Sequence, residues 1–323
     1  MLITLAQAAQ ALKEGQLVAF PTETVYGLGA DANNDAAVSA VFAAKGRPAH
    51  HPLIVHVQNA AQAAHFATHL PPLAERLMQH FWPGPLTLIL PRHPGVATAA
   101  AGGQASIGLR CPAHPVAQAL LQAAQALGVS GVAAPSANRF GRISPTTAAH
   151  VADDFGDSLA VLDGGPCEVG IESSIVDLSR TDPVLLRPGG ISRADLQAAM
   201  GQRFADPETM AREAPRASGT LQAHYAPRAK LRLMDARTLD TALQVLGADV
   251  DGIALYTRQA IRVPGRSMRR YAMPHDARVA ARRLFADLRE IDATGVRLIW
   301  VETPPDGPEW EGVHDRLRRA AAA

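Results

Sequence analysis

Aromatic residues make up only 5% of this 323-residue chain, and lysine is nearly missing: Lys13, Lys45 and Lys230 stand beside twenty-eight arginines. So few rings leave no apparent stacking platform of the kind single-stranded nucleic acid uses. There are two cysteines, Cys111 and Cys167. They give neither a disulfide framework nor a CxxC metal spacing, and buried free thiols in a reducing compartment fit them. Charge of one sign is missing too, since the formal net charge is +1. Bulk charge therefore does not draw the chain onto polyanions, although its basic residues can still cluster. No uncharged apolar run approaches the roughly 18 residues of a membrane span, and MLITLAQAAQALKEGQ has no basic stretch before its apolar part. The expectation is a cytoplasmic protein, neither exported nor membrane-spanning. A GxGxxG turn is absent, which argues against a dinucleotide site, and no His, Cys or carboxylate cluster has the spacing of an all-protein metal site. Where lysine is this scarce, Lys45 gains weight as the one lysine inside a motif.

What is present is enough apolar material for two cores. Hydrophobic residues are 47% of the chain, and single cores stop growing at roughly 250 to 300 residues. In the first part strand-like and helix-like segments alternate, which predicts an α/β layered fold. Helices are expected over Asp35–Ala44, Pro115–Leu127 and Thr147–Phe155, and strands over Leu53–Val57, Leu86–Leu90, Ser106–Leu109, Leu159–Leu162 and Val184–Leu186. Some strands follow one another too closely for crossover helices, so the sheet is predicted to be mixed. Gln202–Arg216 is polar and broken by Pro207 and Pro215, reading as a connection longer than most. A second α/β pattern follows, with strands over Leu231–Met234, Gly252–Tyr256, Met268–Ala272 and Arg297–Val301. Its helices are expected over Thr238–Val245, Asp276–Ala293 and near His314–Arg319. The division is a first domain over 1–200, a linker over 201–229 and a smaller Rossmann-like α/β domain over 230–323.

Four polar turns sit at the ends of apolar runs: Pro21–Thr24, Lys45–Pro48, Ala134–Asn138 and Glu172–Asp177. In open α/β sheets ligands bind at such strand ends. Any one of these turns is equally well a cap or a turn former. Lys45 and Arg47 flank a glycine at a helix end, which suits triphosphate oxygens but also a plain C-cap with solvated cations. Arg110 follows the strand SIGL, from where a guanidinium can clamp a carboxylate with two donors.

Seven blocks carry a resemblance: PTETVYGLG (21–29), KGRP with PLIVH (45–56), FWPGPLT (81–87), SIGLRCPAHP (106–115), APSAN with ISPT (134–146), IESSIVD (171–177) and LLRPG (185–189). In this order they resemble the YrdC-type threonylcarbamoyl-AMP synthases over residues 1 to about 200. The resemblance implies a three-layer fold, a twisted mixed sheet with helices on both faces. It also implies condensation of L-threonine, bicarbonate and ATP to threonylcarbamoyl-adenylate with release of pyrophosphate, the first step toward threonylcarbamoyladenosine in tRNA. A tRNA threonylcarbamoyltransferase would take over the product. By position it assigns threonine to Thr24, His56, Arg110, Ser173 and the backbone of Ala134. Lys45 and Arg47 are the expected catalytic cations on the ATP side, with His51, Ser106, Ser136, Asn138, Ser144 and Arg187. Mg²⁺ is expected to arrive with the triphosphate. HYAP (224–227) matches the two-domain members, making His224 and Tyr225 lid candidates over the nucleotide, yet the preceding residues depart from the family's SPGM, with Gly219 and Thr220 in place of proline and methionine. The competing readings are an RNA-binding module, with Arg262–Arg270 as phosphate contacts, and a carbamoyl-transfer component of a larger maturation enzyme with the same fold. Such enzymes carry a zinc-binding segment, which two cysteines exclude.

Overall fold

The computed structural model describes residues 1–205, 215–247, 250–259 and 268–323. Residues 206–214 of the expected linker and 260–267 of the Arg-rich stretch lie outside the described residues. The chain forms two compact units, one of residues 1–140 and 144–220, the other of residues 141–143 and 221–323.

The first unit is built on a nine-stranded mixed sheet in the order β7-β1-β2-β6-β3-β5-β4-β8-β9. The strands are β1 (Val18–Phe20), β2 (Gly27–Asp31), β3 (Ile54–His56), β4 (Leu86–Pro91), β5 (Ser106–Arg110), β6 (Val132–Ala133), β7 (Ala160–Val161), β8 (Ser174–Asp177) and β9 (Val184–Arg187). Successive side chains of a strand leave on opposite faces, so each strand feeds two cores. On one face Val55, Leu88, Leu109, Val176 and Leu185 join the large core under α2 (Asp35–Lys45), α3 (Ala60–Phe66) and α4 (Pro72–Phe81). On the other face Val18, Phe20 and Val132 pack with α1 (Leu5–Lys13) and α5 (Pro115–Ala126). The expected mixed sheet with helices on both faces is thus observed.

The second face is covered unevenly. Helices α1 and α5 pack over β1 and β6, whereas on β3, β4, β5 and β8 the same face carries a small apolar cluster of Ile54, Ile89 and Ile175, closed by Ala217. This open half of the sheet is where polar side chains collect.

Helices α1, α3 and α4, strand β2 and the helix over Arg193–Met200 go unassigned in the sequence. Helix α1 begins at Thr4, whose hydroxyl accepts the Gln7 N–H in a capping box. Helices α3 and α4 are short and flanked by prolines and polar residues. Strand β2 contains Gly27 and Gly29 because Phe20 lies across it: a Cβ on Gly29 would meet the Phe20 ring and Val132 at 2.8 Å. Glycine there reads as a turn in sequence but acts as clearance in the sheet.

The second unit holds a four-stranded, all-parallel sheet, β10 (Lys230–Met234), β13 (Leu298–Glu302), β11 (Ile253–Thr257) and β12 (Arg269–Ala272) in spatial order. Helices Ala236–Leu246, Ala277–Ala293 and Glu311–Ala321 complete it; Asp235 and Asp276 cap the first two, and the first begins two residues ahead of the expected Thr238. Leu239, Leu243, Val250, Ile253 and Leu255 form a core of its own. Among the described residues no helix is long and apolar enough to cross a membrane.

Candidate active site

Sheet register assembles the open face into one row. His56 on β3 pairs with Arg110 on β5, Arg110 with Thr87 on β4, Thr87 with Ile175 on β8, and Ile175 with Arg187 on β9. Residues in register point to the same face, so His56, Arg110 and Thr87 stand side by side and Arg187 stands beyond Ile175. The last step depends on a bulge: the register shifts between Ile175 and Val176, so that Leu186 and Arg187 both oppose Ile175. A bulge re-aims the side chain that follows it. Leu186 then joins the cluster of Ile54, Ile89 and Ile175, while Arg187 turns onto the same face.

Hydrogen bonds hold Thr87, Arg187 and Arg110 in place. Thr87 and Ser173 share a hydrogen bond of 2.8 Å between their hydroxyls. Arg187 donates to the Ser173 carbonyl through Nε and Nη2 at 3.1 and 2.9 Å, and through Nη1 to the Ser218 carbonyl at 2.8 Å. Gly189 lets β9 lie against the ESS strand, since a Cβ there would come within 2.4 Å of the Glu172 carbonyl oxygen and the Ser174 nitrogen. Arg110 donates to Glu23 Oε1 at 2.7 Å and leaves its Nε buried without a partner among the described residues. His56 is buried with Nδ1 unpartnered, and burial together with the nearby Arg110 charge lowers its pKa to about 3. The imidazole is neutral at any ordinary pH. An unpaired donor or acceptor in a dry site costs free energy that a ligand can recover.

The basic turn lies at the end of α2. Gly46 closes the helix with φ 66°, the left-handed cap that favours glycine. Lys45, buried at 3% exposure, donates to the carbonyls of Ser136, at 2.6 Å, and Asn138. Burial, with the Arg47 charge adding to it, pushes the Lys45 pKa well below the usual lysine range. Arg47 donates to the Pro52 carbonyl at 2.9 Å and the Ser218 hydroxyl at 3.2 Å, and its guanidinium lies 5.8 Å from the centre of the Phe140 ring. His51, half-buried, stands edge-on to that ring at 5.7 Å, and burial first, then Arg47, lower its pKa. Lys45 is thus an amine held by neutral carbonyls, an arrangement that favours an incoming anion.

The remaining residues close the frame. Thr22 and Thr24 share a hydroxyl hydrogen bond of 2.8 Å in the PTET turn. Ala134 N–H is taken by the Ile54 carbonyl at 2.9 Å, and the Asn138 side-chain amide donates to the Arg139 carbonyl at 2.7 Å. Ser144 donates to Glu172 Oε1 at 2.5 Å. Ser106 and Gly108 line a pocket with Pro52, Ile54, Thr87, Ile175, Ala217 and Ser218. The structure therefore brings Lys45 together with Ser136 and Asn138, His56 with Arg110, and Ser173 with Arg187. His224 and Tyr225 belong to the second unit: Tyr225 adopts φ 61°, packs 5.5 Å from Phe285 and lies under the Arg316 guanidinium at 5.4 Å. Sequence reasoning missed Glu23, Thr87 and Ser218 as members of the site. Glu23 and Thr87 sit inside the matching blocks PTET and FWPGPLT, so position was available as a signal, whereas Ser218 falls where the family pattern breaks.

The Sua5–YciO–YrdC family model, described as "Telomere recombination", matches residues 10–189, and the model "Threonylcarbamoyl-AMP synthase, C-terminal domain" matches residues 191–322. The chain belongs to the threonylcarbamoyl-AMP synthase family. The synthase of Pyrococcus abyssi is 38% identical over 97% of this chain and 93% of its own length, and that of Bacillus subtilis is 37% identical over 98% and 92%. Two solved structures of P. abyssi Sua5 superpose well. The one complexed with L-threonine has a TM-score of 0.88 at 35% identity and covers 98% of this chain and 94% of that one. The other carries alanine at a His-Tyr pair, with a TM-score of 0.89 at 35% identity over 98% and 92%. Synthases of this family are adenylate-forming enzymes, and the present chain spans both of their domains.

Proposed function

We propose that this protein makes threonylcarbamoyl-AMP from L-threonine, bicarbonate and ATP, in the first step of threonylcarbamoyladenosine formation in tRNA. The threonine amine and bicarbonate condense to a carbamate with loss of water. A carbamate oxygen then attacks the α-phosphorus, the bond to the bridging oxygen breaks, and pyrophosphate leaves with the electron pair. No protein nucleophile is needed, so the chain's part is positioning and electrostatics. The observation that carries the reading is the uncovered sheet face, where a neutral histidine and a buried arginine with an unmet donor stand in register, next to a turn of buried cations.

Arg110 takes the amino-acid carboxylate. His56, neutral, with Thr24, Ser173 and the backbone of Ala134, surrounds the rest of threonine. Lys45, Arg47 and Arg187 face the phosphates as negative charge moves onto the leaving group, with His51, Ser106, Ser136, Asn138 and Ser144 on the nucleotide. An anion arriving beside Lys45 raises its pKa again and keeps it charged when needed. Magnesium enters as the ATP complex. Among the described residues no three His, Cys, Asp or Glu side chains converge on a cage. That donor set fits an ion held mainly by phosphates and water, with Glu172 and Ser144 as the protein oxygens beside it. When bound, the ion neutralises phosphate charge. Residues 1–200 form the catalytic part. The product is a mixed anhydride that water destroys, so a tRNA threonylcarbamoyltransferase in the cytoplasm consumes it.

The test is pyrophosphate release by the purified chain. Release that requires both threonine and bicarbonate is expected. Release independent of threonine would overturn the proposal.

A further inference from the structure

The PTET turn contains a carboxylate to which neither the motif nor the reaction gives a part. Glu23 is buried and both its oxygens are engaged, Oε1 by Arg110 Nη2 at 2.7 Å and Oε2 by the Ala113 N–H at 2.9 Å. Its backbone carbonyl accepts the Val169 N–H at 2.7 Å. One residue thereby joins three segments: the turn that carries Thr24, the end of the strand that carries Arg110, and the loop before β8. Thr24, fully buried, follows Glu23 directly and bonds Thr22 on its other side.

A carboxylate on one corner of a guanidinium fixes the plane of the others. Here Nη2 is taken, while Nε remains buried without a partner. The charge also matters before any ligand arrives, because a buried arginine without a counter-ion is strongly destabilising. Arg258, paired with Glu302, also keeps a buried Nε without a partner among the described residues, so it is the register of Arg110 with His56 and Thr87 on the open sheet face that gives its free donor a ligand to meet.

We infer that Glu23 is a positioning residue of the amino-acid half: it holds Arg110 in the plane that meets a ligand carboxylate and ties that plane to Thr24. This rests on the reading that Arg110 binds the carboxylate of threonine. Arg110 touches the substrate; Glu23 acts through it.

The experiment measures pyrophosphate release by the full chain, with KM for threonine and for ATP determined separately. Glu23→Gln removes the charge and keeps the shape. Glu23→Asp keeps the charge and withdraws it by one carbon, which spares the fold if Glu23→Gln does not tolerate the loss. Either folded variant is expected to raise KM for threonine by about 10-fold or more, with KM for ATP unchanged. Adding Glu23→Gln to Arg110→Gln is expected to do no further harm, since its effect passes through the arginine. Glu23→Asp at wild-type values, equal changes in both KM values, or effects that multiply in the double variant would each overturn the inference. Failure of the functional reading looks different: the unmutated chain would then show no dependence on threonine at all.

Discussion

The two units differ in how some of their buried charges are held. The first has thirteen Lys and Arg against seventeen Asp and Glu, the second eighteen against thirteen. Bulk charge would place an anion site on the second. The buried contacts place it on the first. In the second unit, buried carboxylates are saturated by local donors: Asp292 accepts from the Arg228 and Ala229 N–H groups at 2.9 and 2.8 Å, Glu302 from Arg258 N–H at 2.8 Å and its guanidinium at 3.2 Å, and Asp287 from Tyr256 at 2.8 Å. In the first unit, Lys45 and Arg187 donate to backbone carbonyls, which carry no formal charge. A carboxylate ringed by donors is a finished contact, and so is the one corner of Arg110 that Glu23 holds at 2.7 Å; the other corners of that guanidinium, like a cation on a carbonyl, still attract an anion. Local pairing, rather than net charge, separates a binding site from a scaffold.

The sharpest way to break this contrast is to remove one cation from each end of the first site. Arg110→Ala is expected to raise the threonine requirement by roughly 2 to 5 kcal/mol, the usual cost of truncating one partner of a buried charge pair, and to leave ATP nearly untouched. Lys45→Ala should do the reverse. Steady-state kinetics with each substrate varied in turn checks this, and equal effects of both variants on both substrates would erase the division. The matching cut in the second unit is Asp292→Ala, which strands two backbone donors at a cost of about 1 to 3 kcal/mol. Thermal unfolding should show that loss while both KM values stay as they were; a kinetic change would mean that the second unit's pairs are not merely structural.

A smaller effect comes from His56. Its pKa is about 3 in the fold and 6.5 when unfolded. Above pH 6.5 both states are neutral and the group contributes nothing to the pH dependence. As pH falls from there toward 3, the unfolded chain takes up a proton that the folded chain refuses, so stability is lost across that window. Denaturant melts of His56→Asn should fall less steeply with acid than those of the unmutated chain, and parallel curves would remove His56 as the cause. The smallest effect is on the thiols. Burial pushes Cys111 up to about 11 and Cys167 up to about 12. Neither should react with a thiol reagent at neutral pH until the protein unfolds, and rapid labelling of the native chain would contradict their burial.

Much of this was legible in the residues. The second unit's strands and helices follow its hydrophobic periodicity. In the first unit, Asp35 to Lys45 and Pro115 to Ala126 were visible for the same reason. Strands of two or three residues such as β3, β6 and β7 carry too little pattern to declare their neighbours. What no local pattern holds is register. His56 and Arg110 are 54 positions apart in sequence and adjacent in the sheet. Their pairing follows from packing on the opposite face, where Val55 and Leu109 enter the core together. Glu23 was hidden for a related reason: a glutamate between two threonines looks like a solvated turn until Arg110 and the Ala113 N–H arrive from far along the chain. The site residues were recognised as a set by family resemblance, and their partners came from topology.

The row from His56 to Arg187 also acts as a ruler. Five strands take part, each step across a sheet is roughly 4.8 Å, and so the ends of the row lie on the order of 19 Å apart along a backbone lattice that cannot stretch. Side chains at the same level on different strands cannot drift relative to one another unless the hydrogen-bonded ladder breaks. A slip of one residue in any pair would not loosen the alignment slightly; it would turn that member into the core and bring an isoleucine, valine or leucine out in its place. The bulge between Ile175 and Val176 is the single graduation where an extra residue has been let in, and it alone sets Arg187 on this scale. Were Leu186 to meet Ile175 alone, with no residue let in, Arg187 would move one step along the strand to the level of Ser174 and turn toward the core, so the extra residue is what keeps the arginine facing the site.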